Sequence, residues 1–125
     1  MILIALGANL PTAAGPPPQE TCQWALDELA RRSARAVAVS RWYRTPPDPP
    51  SDQPDFVNGA ARLETALSPG ALLTTLHAVE QEAGRERAVR NEARPLDLDL
   101  IDYGGLVQGG RPVLPHPRAH RRLFV

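Results

Sequence analysis

Ala93-Arg94-Pro95-Leu96-Asp97-Leu98-Asp99-Leu100-Ile101-Asp102 is the stretch on which the reading turns. Leu96, Leu98 and Leu100 alternate with Asp97, Asp99 and Ile101, the period of a strand. Asp97 and Asp99 then share one face, and the leucines face a core. Two carboxylates on one face repel, and a divalent cation removes the conflict. Hard oxygen donors suit Mg²⁺, which completes its shell with water and substrate phosphates. Arg94 stands just before the strand, and Arg85, Arg87 and Arg90 precede it. Acids beside guanidinium groups are the parts of a phosphate-transferring site. The same Asp-x-Asp pattern also suits the solvated face of an edge strand, and the stretch alone leaves both readings open.

Composition narrows the classes. A chain of 125 residues is long enough for one core and one domain. Its formal net charge is zero, which disfavours a general nucleic-acid or membrane-surface binder. The charge is uneven, however: residues 1–84 hold six arginines against nine acids, and residues 85–125 hold eight against five. An anionic ligand would prefer the second part. There is no lysine, so a lysine nucleophile and a Walker-type phosphate loop are excluded. Cys22 is the one cysteine and falls in an amphipathic pattern, as a small buried hydrophobe would. Met1–Leu6 lacks a basic start and is too short for a signal peptide, and no apolar run reaches membrane-spanning length. The expectation is a cytoplasmic protein.

Working outward, Ile2–Leu6 reads as a central strand ended by Gly7-Ala8-Asn9. Residues 11–18 read as a loop. Residues 19–32 read as a helix with Cys22, Leu26, Leu29 and Ala30 inward and Asp27, Glu28 and Arg31 outward. Residues 37–43 alternate as a second strand. Five prolines within 44–54 mark an extended, shaped loop. Phe56–Thr65 reads as a third strand. Ser68-Pro69 starts a second helix with a stripe of Leu72, Leu73, Leu76, Val79 and Ala83, closed by Gly84. An arginine-rich connection over 85–95 leads to the Asp-x-Asp strand, and a short strand is expected at Leu106-Val107. The order β-α-β-β-α-β, with an additional C-terminal strand, predicts an α+β ferredoxin-like sandwich: an antiparallel sheet backed by helices.

Several blocks carry a family resemblance. They are Gly7-Ala8-Asn9-Leu10, Thr45-Pro46-Pro47, Gln53-Pro54-Asp55-Phe56-Val57-Asn58, Glu80-x-x-x-Gly84-Arg85-x-Arg87, Arg94-x-Leu96-Asp97-Leu98-Asp99, Leu114-Pro115-His116-Pro117-Arg118 and Arg122-x-Phe124. In this order the chain resembles the 6-hydroxymethyl-7,8-dihydropterin pyrophosphokinases of folate biosynthesis. The resemblance implies the ferredoxin-like fold and a single pyrophosphokinase domain over residues 1–125, short of the family's usual C-terminal continuation. It implies transfer of pyrophosphate from ATP to the pterin hydroxymethyl group, with AMP released and two Mg²⁺ ions as cofactors.

Residue by residue, the resemblance makes Asp97 and Asp99 the metal ligands. It makes Arg85 and Arg94 catalytic phosphate contacts, and it adds Glu80, His116 and Arg122 to the ATP site. Thr45, Pro46, Phe56, Asn58 and Phe124 would hold the pterin. Taken alone, Arg85 equally answers a helix dipole, Asn58 could cap a strand edge, and Phe124 could be ordinary core. A flat heteroaromatic ring needs stacking faces, and the Asn58 amide both donates and accepts, as a pterin edge requires. The family's Gly-Pro before the arginine is Glu92-Ala93 here, Ala88 stands where a lysine helps hold phosphate, and the loop lacks an aromatic. The expected partners are ATP and the pterin, with no nucleic acid and no membrane, in a monomer or weak dimer. A ferredoxin-like module that binds nucleotide or single-stranded RNA without chemistry is the alternative, as is an inactive form of the enzyme. RNA-binding sheets present stacked aromatics, and this chain has two each of Trp, Tyr and Phe.

Overall fold

The computed structural model describes residues 1–9, 18–45, 56–87 and 96–105. Its elements are β1 (Ile2–Asn9), α1 (Pro18–Arg31), β2 (Ala34–Val39), β3 (Tyr43–Thr45), β4 (Phe56–Thr65), α2 (Pro69–Arg87) and β5 (Asp97–Tyr103). The sheet order is β2-β4-β1-β5, with β3 also paired to β4, and every pairing is antiparallel. β2 and β1 thus lie parallel across β4, and β4 and β5 lie parallel across β1. That is the interleaved pair of β-α-β units of a ferredoxin-like α+β sandwich, as expected.

The core lies on one face of the sheet. Ile4, Leu6 and Ala8 of β1, Ala61 and Leu63 of β4, and Leu98 and Leu100 of β5 meet Cys22, Ala25, Leu26 and Leu29 of α1 and Leu72, Leu76, Val79 and Ala83 of α2. Fully burying a leucine or isoleucine contributes about 1.5–3 kcal/mol, so this face anchors both helices. Ala25 fills the inward position of α1, while Ala30, expected there, is exposed.

Local chemistry sets the ends of the helices. Pro18 occupies the first helical position of α1, where a missing N–H costs nothing, rather than the end of a loop. Glu20 and Arg31 sit at the ends that favour their charges. Ser33 follows in the left-handed region, at φ 71°. Ser68 caps α2 as expected: its Oγ accepts from Ala71 N at 3.2 Å, and its carbonyl accepts from Leu72 N at 2.8 Å.

Four boundaries differ from the sequence reading. β1 does not end at Leu6 but pairs on both sides through Gly7 and with β4 as far as Asn9. Gly84 does not close α2, which runs on to Arg87; no positive φ is present there to stop it. The expected strand over 37–43 is two strands, because the register against β4 slips once between Ala36 and Ala38 and again before Tyr43. Each slip places one extra residue on the β2–β3 side, as a β-bulge does, and breaks the alternation that 37–43 suggested. Ser40 spans the break: its N donates to Ala60 O at 2.8 Å and its Oγ accepts from Ala60 N at 2.8 Å. β3 also takes Arg44 and Thr45 out of the expected loop. Trp42 then lies on Gly59, where a Cβ would come within 2.6 Å of its ring.

The expected strand at Leu106-Val107 lies outside the described residues. Among the described residues no helix is long and apolar enough to cross a membrane.

Candidate active site

The face opposite the helices is built by the residues that alternate with the core. β1 contributes Leu3, Ala5 and Gly7, β5 contributes Asp97 and Asp99, and β4 contributes Asn58, Ala60 and Arg62. Register sorts them into rows. Asp97 pairs with Gly7, Gly7 with Asn58, and Asn58 with Tyr43. In the next row Asp99 pairs with Ala5 and Ala5 with Ala60. The carboxylates therefore stand at one side of the sheet and Asn58 two strands away. At the usual strand spacing that separation is about 10 Å. Among the described residues, Gly7 and Ala5 of β1 lie between them, with Ala60 beside Asn58 on β4, all small and buried.

Asp97 and Asp99 are half-buried, and the leucines beside them are buried, as the period-2 pattern required. A bulge between Leu3 and Ile4 of β1 places Ile101 as the extra residue on β5, so the strict alternation ends just past the acidic pair. Among the described residues no cluster of three His, Cys, Asp or Glu side chains is poised for a metal. Two half-buried carboxylates with glycine and alanine opposite them nevertheless fit a hard cation that takes one or two carboxylates and fills its shell with water and phosphate oxygens.

Asn58 is 8% exposed, and its side-chain oxygen lies over Gly7. Tyr43, at the far end of the same row, is 46% exposed. Neither Gly7 nor Tyr43 stood out in the sequence as a site residue, because only the register shows that they share a row with Asp97. Glu80 of α2 accepts a hydrogen bond from the backbone N–H of Leu98 at 2.8 Å, so this acid meets the Asp-x-Asp strand itself.

The other expected site residues are placed in part or not at all. Thr45 and Phe56 pair with each other at the ends of β3 and β4, one row beyond Asn58. Arg85 belongs to the last turns of α2. Pro46, Arg94, His116, Arg122 and Phe124 lie outside the described residues, as do Ala88, Glu92 and Ala93. Cys22 takes no part: it is fully buried in the core, and burial pushes its thiol up to about 12.

The model of the family described as 7,8-dihydro-6-hydroxymethylpterin-pyrophosphokinase matches residues 3–125. The chain belongs to that family. It is 43% identical over 124 residues to the 2-amino-4-hydroxy-6-hydroxymethyldihydropteridine pyrophosphokinase of Haemophilus influenzae, covering 98% of this chain and 74% of that protein. It is 44% identical over 126 residues to the enzyme of the same name from Pseudomonas aeruginosa, covering 99% of this chain and 75% of that protein. A folate synthesis bifunctional protein of Arabidopsis thaliana is 42% identical over 126 residues, which are 99% of this chain and 25% of that protein. The pyrophosphokinase match thus runs through both the rows of the sheet and the segments on either side of them.

Proposed function

We propose that the protein transfers the pyrophosphoryl group of ATP to the hydroxymethyl group of 6-hydroxymethyl-7,8-dihydropterin, releasing AMP, in folate biosynthesis. One observation carries the reading: in a chain of the pyrophosphokinase family, the paired carboxylates of β5 and the amide of Asn58 share one face, and Asp97 shares a row with Asn58 across Gly7. An acidic end suits a cation with its phosphates, and an amide end suits the polar edge of a flat ring.

In the mechanism we favour, the hydroxymethyl oxygen attacks the β-phosphorus of ATP in line. A new O–P bond forms, the bond from the β-phosphorus to the oxygen bridging it to the α-phosphorus breaks, and AMP departs with that oxygen. The hydroxyl proton passes to solvent as the bond forms. Asn58 would orient the ring through its amide, between stacking faces supplied by Phe56 and Phe124, with Thr45 and Pro46 closing the pocket. Asp97 and Asp99 would hold Mg²⁺, two ions with each ATP. Bound there, the cation would draw charge off the phosphates and align them. Arg85 and Arg94 would take the spread charge of the transferring group through planar donors, with His116 and Arg122 toward the nucleotide, while the Glu80 carboxylate is turned to the β5 backbone. Catalysis then rests on positioning and charge neutralisation rather than on a dedicated base. We place this activity in one domain over residues 1–125, in the cytoplasm, as a monomer or weak dimer that engages neither nucleic acid nor membrane.

AMP release from ATP and Mg²⁺, measured with and without the pterin, tests the proposal. AMP should appear only with the pterin and in equal amount to the pyrophosphorylated product. A cooperatively folded protein that binds nucleotide and forms no AMP would make it a binding module instead.

A further inference from the structure

The Asp-x-Asp strand is fixed from the side as well as through its ladder. Leu98 pairs with Leu6 of β1, yet its N–H goes to Glu80 Oε2 at 2.8 Å. In an antiparallel ladder a residue directs its N–H and C=O to the same side. Leu98 therefore turns its backbone polar groups away from β1, and Asp97 and Asp99 turn theirs toward it. Among the described strands β5 lies at the edge of the sheet, and on that open side Glu80 supplies the acceptor for Leu98 N. Glu80 lies beside Val79 on α2, whose buried stripe packs on the core together with Leu98. A charge-assisted hydrogen bond joins helix to strand at the residue between the two aspartates.

We propose that Glu80 is a positioning residue for the acidic pair: by pinning Leu98 N–H to α2 it sets where the Asp97 and Asp99 carboxylates stand over the floor of β1. The inference rests on the reading of those aspartates as cation ligands. Groups that orient ligands in this way change metal affinity without touching the metal. The chemistry required of residue 80 is reach and an acceptor atom rather than charge.

Two conservative variants separate these properties. Glu80→Gln keeps the reach and the acceptor and loses the charge. Glu80→Asp keeps the charge and draws the acceptor back by one methylene. Mn²⁺ binding in the presence of a non-hydrolysable ATP analogue, followed by electron paramagnetic resonance, reads the cation site directly. The Mn²⁺ dependence of AMP formation gives a second readout. Glu80→Gln should stay within about threefold of the parent in Mn²⁺ affinity. Glu80→Asp should bind Mn²⁺ about tenfold more weakly, with kcat recovered at saturating metal. The opposite order would make Glu80 a charge acting on nucleotide or metal, and two parent-like variants would give it no role; either result overturns the proposal. Asp97→Ala serves as the reference. If it keeps the parent's Mn²⁺ affinity, the ligand reading itself fails. If it loses the metal while the Glu80 variants behave otherwise than expected, the positioning inference alone fails.

Discussion

Asn58 stands over Gly7. A Cβ built on Gly7 would meet Asn58 Oδ1 at 2.8 Å, and the two residues are register partners on adjacent strands. Gly7 is also the partner of Asp97 on its other side. The missing side chain therefore lets the Asn58 amide lie inward over β1. Gly7 needs no unusual backbone angle for this. Its part is close approach within a regular strand.

Gly7→Ala should accordingly act on Asn58 before it acts on the fold. The added methyl displaces the amide, and one misplaced hydrogen bond in a binding site costs about 1–1.5 kcal/mol, close to tenfold in affinity. We expect pterin affinity to fall about tenfold and the thermal midpoint to drop only slightly, measured by titration calorimetry and thermal denaturation. Unchanged pterin affinity would show that Asn58 does not depend on the gap above Gly7.

Cys22 supplies a pH dependence remote from the site. Burial raises its thiol from 9.0 to about 12. Between those values the unfolded chain has lost the proton and the folded chain keeps it. The unfolded state then binds fewer protons, so stability falls as pH rises; below the unfolded value the thiol adds no slope. Denaturant unfolding from pH 9 to about 11 should lose stability more steeply in the parent than in Cys22→Ala. Equal slopes would contradict a thiol held neutral by the core.

Much of this was legible in the residues. Period-2 alternation placed Leu96, Leu98 and Leu100 inward with Asp97 and Asp99 together on the other face. The Ser68-Pro69 start and the Leu72–Ala83 stripe gave α2 its beginning and its packed side. What the chain order conceals is what register and partners decide. Gly7 and Gly84 both read as stops, yet the β1 ladder carries through the first and α2 runs on through the second. The bulges that divide 37–43 depend on how β4 meets that segment, which no local pattern announces. Glu80 reads as a nucleotide contact because its partner is a backbone N–H eighteen residues on, to which composition is blind. The row Asp97–Gly7–Asn58–Tyr43 draws on four strands, so it exists only once the sheet is assembled.

The central claim is that one sheet face holds the cation with its nucleotide at β5 and the pterin at Asn58, about 10 Å apart by strand spacing. The most direct test is a paired affinity measurement on Asn58→Ala and Asp97→Ala, each titrated separately with the pterin and with Mg²⁺ and a non-hydrolysable ATP analogue. A crossed result is expected: Asn58→Ala loses about tenfold or more in pterin affinity with nucleotide binding within about twofold, and Asp97→Ala does the reverse. Equal losses of both ligands in both variants would contradict it, making the two residues supports of the fold rather than the two ends of a site.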